Sequence, residues 1–291
     1  MSTAPITGET RPAETTPTPQ SKPAGRRRSR RLASRILPPL LFAIFVLVAW
    51  QLLVNATGIK ESSLPKPTQV GHALWIDRSL LWTNAWVTIK EILVGYLAAI
   101  ALGVGLAVPI ATSRVIDRAV YPWMVASQMV PIVAIAPIIV IWTGFDLRPK
   151  VIVIALVSFF PIAVNTIDGL RSTDPELTNL LRTLGAKRWT RFRKAQWPAA
   201  MPFLFSGLKV GAALSVIGAV FAEWVGASDG LGYLILTLNN QTATTDMFAT
   251  IVVLSLIGVG LFAIVSAIER VALPWYHDAR RTGDGGDEAE A

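Results

Sequence analysis

Cysteine does not occur anywhere in the chain, which excludes disulfides, thiol catalysis and cysteine-ligated metal. Histidine is nearly absent: His72 and His277 lie far apart and outside every long apolar run, so no metal centre is expected. Charge is scarce as well. Only 16% of the 291 residues are Asp, Glu, Lys or Arg, where a soluble domain carries about 25%. No G-x-x-x-x-G-K-[ST] cradle is present, so the chain is not expected to hold ATP phosphates itself. The H-E-x-x-H zinc motif is missing too, and a membrane protease or esterase is not expected. These absences leave a protein without an evident cofactor or covalent chemistry.

What is present is apolar. Hydrophobic residues make up 52% of the chain and the mean hydropathy is +0.50, which points to an integral membrane protein. Six hydrophobic segments can be placed, at 36–54, 88–110, 119–142, 151–168, 203–223 and 248–268. At 1.5 Å per residue each reaches, or nearly reaches, across a hydrocarbon core about 30 Å thick. The third contains Pro122, Pro131 and Pro137 and is expected to be kinked or broken; a break is also expected at Pro161 in the fourth. Proline frees backbone carbonyls that need partners inside a bundle. Residues 1–25 are rich in Thr, Pro, Ala and Ser and read as a disordered tail. Arg26, Arg27, Arg28, Arg30 and Arg31 follow, ahead of a run too long for a signal peptide and without a cleavage site, so a retained first span is expected.

The distribution of charge orients the chain. With six spans and a cytoplasmic N-terminus, the cytoplasmic pieces hold twenty Lys and Arg and the external pieces five. That asymmetry satisfies the positive-inside rule, and it explains most of the net charge of +8 without nucleic acid. The expected organisation is a basic cytoplasmic tail (1–35), a first span with an external segment (36–84), a core (85–270) and a cytoplasmic tail (271–291).

One cytoplasmic segment, 170–200, carries the most information. Asp174-Pro175 is a helix-start signal. Leu177, Leu180, Leu181 and Leu184 repeat at helical spacing, and Gly185 follows as a C-terminal glycine able to take positive φ. A second short helix, "KRWTRFRKAQW", puts Trp189 and Phe192 on one side and is expected to end at Pro198. Two amphipathic helices meeting at a glycine would lie along the cytoplasmic face.

The spacing of Gly185 and Trp197-Pro198 resembles the loop signature of importer permeases of the ATP-binding cassette superfamily: Glu-Ala-Ala, three residues, Gly, nine residues, Ile, one residue, Leu-Pro. Asn179-Leu180-Leu181 stands in place of Glu-Ala-Ala, and Ala195 and Trp197 replace Ile and Leu. The resemblance covers about 85–270. "SQMVPIVAIAPIIVIWTGFDLRPKVIVIALVSFFPIAVNTIDGLRSTDPEL" and "GAVFAEWVGASDGLGYLI" look like the nitrate, taurine/sulfonate and pyrimidine-precursor branch. It implies an all-α type I importer permease fold, with the loop docking on a separate cytoplasmic ATPase. Leu181, Leu184, Gly185, Ala186, Trp189, Phe192 and Pro198 are the coupling residues implied. An extracytoplasmic substrate-binding protein and a homodimeric permease are the further partners implied.

Other readings remain at this point. A basic amphipathic loop can rest on anionic lipid, each cation contributing roughly 1 kcal/mol near the surface. An ion-gradient-driven transporter would want paired intramembrane carboxylates or inverted repeats, which are not evident. A membrane anchor would have no use for the proline-broken third span. Gln128, Asn165 and Glu223 are the pathway or gate candidates, with Glu223 equally suited to accept backbone N–H bonds in the turn "EWVGASDGLG". No Lys or Arg falls near the middle of a predicted span, whereas Trp142, Phe145, Phe159, Phe160 and Trp224 sit near span ends. A flat heterocycle is therefore the first substrate expectation, with sulfonate, taurine or nitrate as alternatives.

Overall fold

In the computed structural model, the described residues are 25–276, with side chains described from residue 37. The expected disordered tail (1–24 of it), most of the C-terminal tail and His277 lie outside them. The chain divides into two units, 1–52 and 53–291, each taken by itself. Every regular element among the described residues is helical.

Helix α1 (Gly25–Thr57) begins well before the expected first span, so its backbone takes in the basic cluster as well as the apolar run. In the second unit, α2 (Pro67–Ile76) precedes the long α3 (Arg78–Thr112). The third segment is two helices, α4 (Arg114–Ser127) and α5 (Ile132–Thr143), bent by 99° at the break. Of its three prolines only Pro131 stands at the break; Pro122 and Pro137 lie inside helices. Helix α6 (Leu147–Arg171) runs unbroken through Pro161, against expectation. Across the interface α9 (Trp197–Gly226) packs Gly207 closely on the Pro161 carbonyl, where a Cβ would come within 2.7 Å of that oxygen. Asn165 also donates its Nδ2 to the Pro161 carbonyl at 2.8 Å. A span enclosed by closely packed neighbours can carry a proline without ending.

Helices α3, α6 and α9 form the centre, with Ile92, Ile154, Ile162, Ile167 and Ala212 almost fully buried. Small residues set the approach. Gly207, Gly211 and Gly218 of α9 face α6, and a Cβ at Gly218 would lie 3.1 Å from Ile154 Cα. In lipid such close backbone contact replaces the hydrophobic drive between helices. Gly103 of α3 does the same against the Phe159 carbonyl, while Gly105 faces open space. Polar ties reinforce the core: Tyr96 donates its hydroxyl to the Leu208 carbonyl at 2.6 Å, and Lys209 pairs with Glu269 of α11 (Thr244–Ala272). Lys209 falls near the start of the expected segment 203–223. It lies mid-helix, because the helix that carries it starts far earlier than residue 203.

Candidate functional site

The loop 170–200 forms as two helical pieces joined at an elbow. Helix α7 (Pro175–Thr183) starts where Asp174 accepts the Glu176 N–H at 2.8 Å. It ends at Leu184, after which Gly185 takes φ +75°. The Gly185 N–H donates to the Arg182 carbonyl at 3.0 Å and the Ala186 N–H to the Leu181 carbonyl at 2.9 Å. That pair of bonds is a Schellman closure, which only a residue at ease with positive φ accepts without strain. Leu181 and Ala186 thus belong to the elbow itself.

Helix α8 (Arg188–Arg191) then leads through a π turn (Phe192–Gln196) directly into α9. Pro198 does not end the second helix, as the sequence suggested. A π turn accepts i→i+5 bonds, here from the Trp197 N–H to the Phe192 carbonyl. The widened turn makes room where a proline ring would crowd the carbonyl four residues back. The second piece of the loop is therefore one continuous helix with the fifth span, running Arg188–Gly226. Trp189 stacks on Phe192 at 5.6 Å, and Phe192 meets Trp197 at 5.9 Å, so aromatic contact joins the loop to the span.

The apolar residues of this loop point two ways. Leu181, Phe192 and Ala186 are half-buried, whereas Leu180, Leu184 and Trp189 are 57%, 73% and 68% exposed. Leu177 is exposed as well. Large apolar side chains held outward on a basic, membrane-flanking loop are an unburied contact surface. Fully burying each would contribute about 1.5–3 kcal/mol.

On the opposite side of the membrane, α10 (Leu231–Asn240) follows the turn after α9. Its first amides are satisfied by side chains from two other helices. The Gly230 N–H donates to Asn84 Oδ1 at 2.9 Å and the Leu231 N–H to Thr88 Oγ1 at 2.8 Å. Glu223 accepts from Thr88 Oγ1 at 2.6 Å, the Gly232 N–H at 2.5 Å and the Tyr233 N–H at 3.3 Å. A carboxylate at a helix N-terminus is favoured by the helix dipole. Gly230 adopts φ +115°, and any Cβ there would run into the Glu223 carboxyl. Beside this cap, buried Glu91 pairs with Lys150 at 2.5 Å, and its carboxyl also faces that of Glu223.

The three gate candidates have separate surroundings. Gln128 caps α4 at the 99° break, Asn165 bonds back to its own helix, and Glu223 is committed to α10. The five aromatics do not gather either. Phe159 is buried in the core, Trp142 and Phe145 face outward, and Trp224 donates to the Gly232 carbonyl at 3.1 Å. Sequence reasoning missed Glu91 and Lys150, which come together only through the packing of α3 on α6. The letters G-x-S-x-G do occur, at Gly226–Gly230. They lie between two helices, not on a strand-to-helix turn, and Ser228 is exposed and bonded to Asp229.

Comparison with known proteins gives a consistent picture. Residues 92–275 match the model for "Binding-protein-dependent transport system inner membrane component". The chain is 38% identical over 240 residues to the formylaminopyrimidine transport permease protein ThiX of Halalkalibacterium halodurans, covering 82% of this chain and 96% of that one. It is 34% identical to the riboflavin transport system permease protein RibX of Chloroflexus aurantiacus, covering 80% and 87%. In fold it is similar to a crystal structure of an amino acid ABC transporter with histidines, at a TM-score of 0.54 and 16% identity, covering 68% and 94%.

Proposed function

This chain belongs to the family of binding-protein-dependent transport system inner membrane components, and we propose that its loop 170–200 is the lever on which a cytoplasmic ATPase acts. The chain is a multi-pass membrane permease subunit of an ABC importer, and ATP hydrolysis resides on a separate partner chain. The observation that carries the proposal is the outward display of Leu180, Leu184 and Trp189 beside the Gly185 elbow. These anchors fill a groove on the ATPase, and Arg182, Lys187 and Arg193 meet acidic groups at its rim. Because α8 continues into α9, a displacement of the loop passes into the centre of the span bundle. ATP-driven closure then rocks the spans between inward- and outward-facing states. Two copies of this chain, two ATPase subunits and one external binding protein make up the working assembly.

The substrate we propose is a small flat nitrogen heterocycle, a pyrimidine precursor or a riboflavin-like compound. Support comes from two relatives at 38% and 34% identity, a formylaminopyrimidine permease and a riboflavin permease; a putative aliphatic sulfonates permease is more distant, at 28%. Ligand binding measured on the cognate binding protein, with pyrimidines, flavins, sulfonates and nitrate side by side, tests that choice. Tight binding of nitrate or a sulfonate alone overturns it. For the lever, Gly185→Glu and Trp189→Ala are expected to leave the protein in the membrane while uptake falls and ATP hydrolysis loses its dependence on substrate. Normal uptake in both variants would remove the loop from this role.

A further inference from the structure

We infer that the groove between the cytoplasmic end of α3 and the helices α7 and α8 is a binding site for the headgroup of an anionic phospholipid. The groove has a volume of about 920 Å³, within the range of pockets that enclose small ligands. Its two walls differ in chemistry. Val108 and Ala111, from the last two turns of α3, give an apolar wall where that span leaves the bilayer. Arg188 and Arg191 of α8 give a cationic wall, interspersed with Trp189 and Phe192, and Arg114 at the start of α4 adds a third cation.

None of these three arginines takes part in any of the ion pairs among the described residues, which engage Arg148, Lys150, Arg171 and Lys209. The nearest acid on α4, Asp117, is already bonded to Arg171 at 2.8 Å. Arg191 Nε is moreover a buried donor without an acceptor. A buried donor left unpaired is destabilising, so the position favours an acceptor.

A phosphodiester supplies that acceptor. Its oxygens match the fork of a guanidinium, its single negative charge offsets one of the three cations, and its glycerol and first methylenes suit the apolar wall. A carboxylate from a protein partner satisfies the arginines but leaves Val108 and Ala111 bare. Basic pockets between spans on the cytoplasmic side hold anionic headgroups for the same reason. Of the three anchors assigned to the lever, Trp189 borders the groove while Leu180 and Leu184 do not, so the inference goes beyond the lever role but shares one residue with it.

The test uses the assembled transporter, purified and placed in nanodiscs containing phosphatidylcholine with graded phosphatidylglycerol. Bound lipid is counted by native mass spectrometry after detergent release. Wild type is expected to retain phosphatidylglycerol over phosphatidylcholine. Arg114→Gln and Arg191→Gln are each expected to lower that retention about fivefold, the effect of one cation near an anionic surface. ATPase subunits should remain bound in both variants, and Arg114→Lys and Arg191→Lys should restore most of the retention. Equal retention in wild type and the Gln variants overturns the proposal. Displacement of the lipid by millimolar inorganic phosphate makes this a free-phosphate site and overturns it as well. So does release of the ATPase from Arg191→Gln with lipid retention unchanged, which would assign the groove to an acidic protein partner.

Discussion

Replacing Glu223 by alanine removes the acceptor that holds the start of α10. Three donors lose it: the Gly232 N–H, the Tyr233 N–H and the Thr88 hydroxyl. The hydroxyl can turn to the Asn84 carbonyl, already 3.3 Å away, so its loss is small. The two amides cannot turn. A buried donor without a partner costs about 1–3 kcal/mol, and the longer Tyr233 bond counts at the low end. Relief of the facing Glu91 carboxyl works in the opposite direction, so the net cost to docking of α10 is about 2–4 kcal/mol. At about 1.4 kcal/mol per decade, the opening equilibrium of this helix rises by roughly thirty- to a thousandfold. Hydrogen–deuterium exchange followed on peptides spanning 228–236 in nanodiscs reads that opening directly. Glu223→Gln, which keeps an acceptor for the Gly232 N–H but not the charge, should show a smaller increase. Unchanged exchange in Glu223→Ala, together with a raised uptake KM, would refute the cap and make Glu223 a pathway residue.

Two further outcomes follow from the packing. Lys150→Met strands the buried Glu91 carboxylate and is expected to destabilise the protein by about 3–5 kcal/mol, with much of that recovered in Lys150→Met/Glu91→Leu; thermal unfolding of the two in detergent checks the cycle. Gly207→Leu drives a side chain into the Pro161 carbonyl and should cost about 1–3 kcal/mol or more, whereas Gly105→Leu, which meets open space, should leave the melting temperature nearly unchanged.

The features that the sequence made legible are those encoded locally. Asp174-Pro175 and Gly185 mark the ends of α7 because capping and positive φ depend on the residue itself and its immediate neighbours. The apolar runs mark the spans for the same reason. Proline was less informative, because its effect depends on what lies across from it. Pro131 breaks its segment, but Pro161 sits inside an unbroken α6 packed closely on α9, and Pro198 follows a π turn. The charged pairs were hidden altogether. Glu91 and Lys150, like Lys209 and Glu269, meet only because α3, α6, α9 and α11 pack together, and no spacing rule joins residues about sixty positions apart. Glu223 stood between a gate and a turn in the sequence; its partners became visible only once α3 delivered Asn84 and Thr88 to the same place.

The absence of cysteine makes the central claim directly testable by site-specific crosslinking. Leu184→Cys and Leu180→Cys each introduce one thiol on the exposed face of α7, and a short bifunctional thiol–amine reagent is applied to the transporter in membranes. The lever role predicts a crosslink from both positions to the ATPase subunit, strengthened or weakened by ATP, with uptake blocked once it forms. Absence of any ATPase crosslink from either position, in a transporter that still imports substrate, would contradict it.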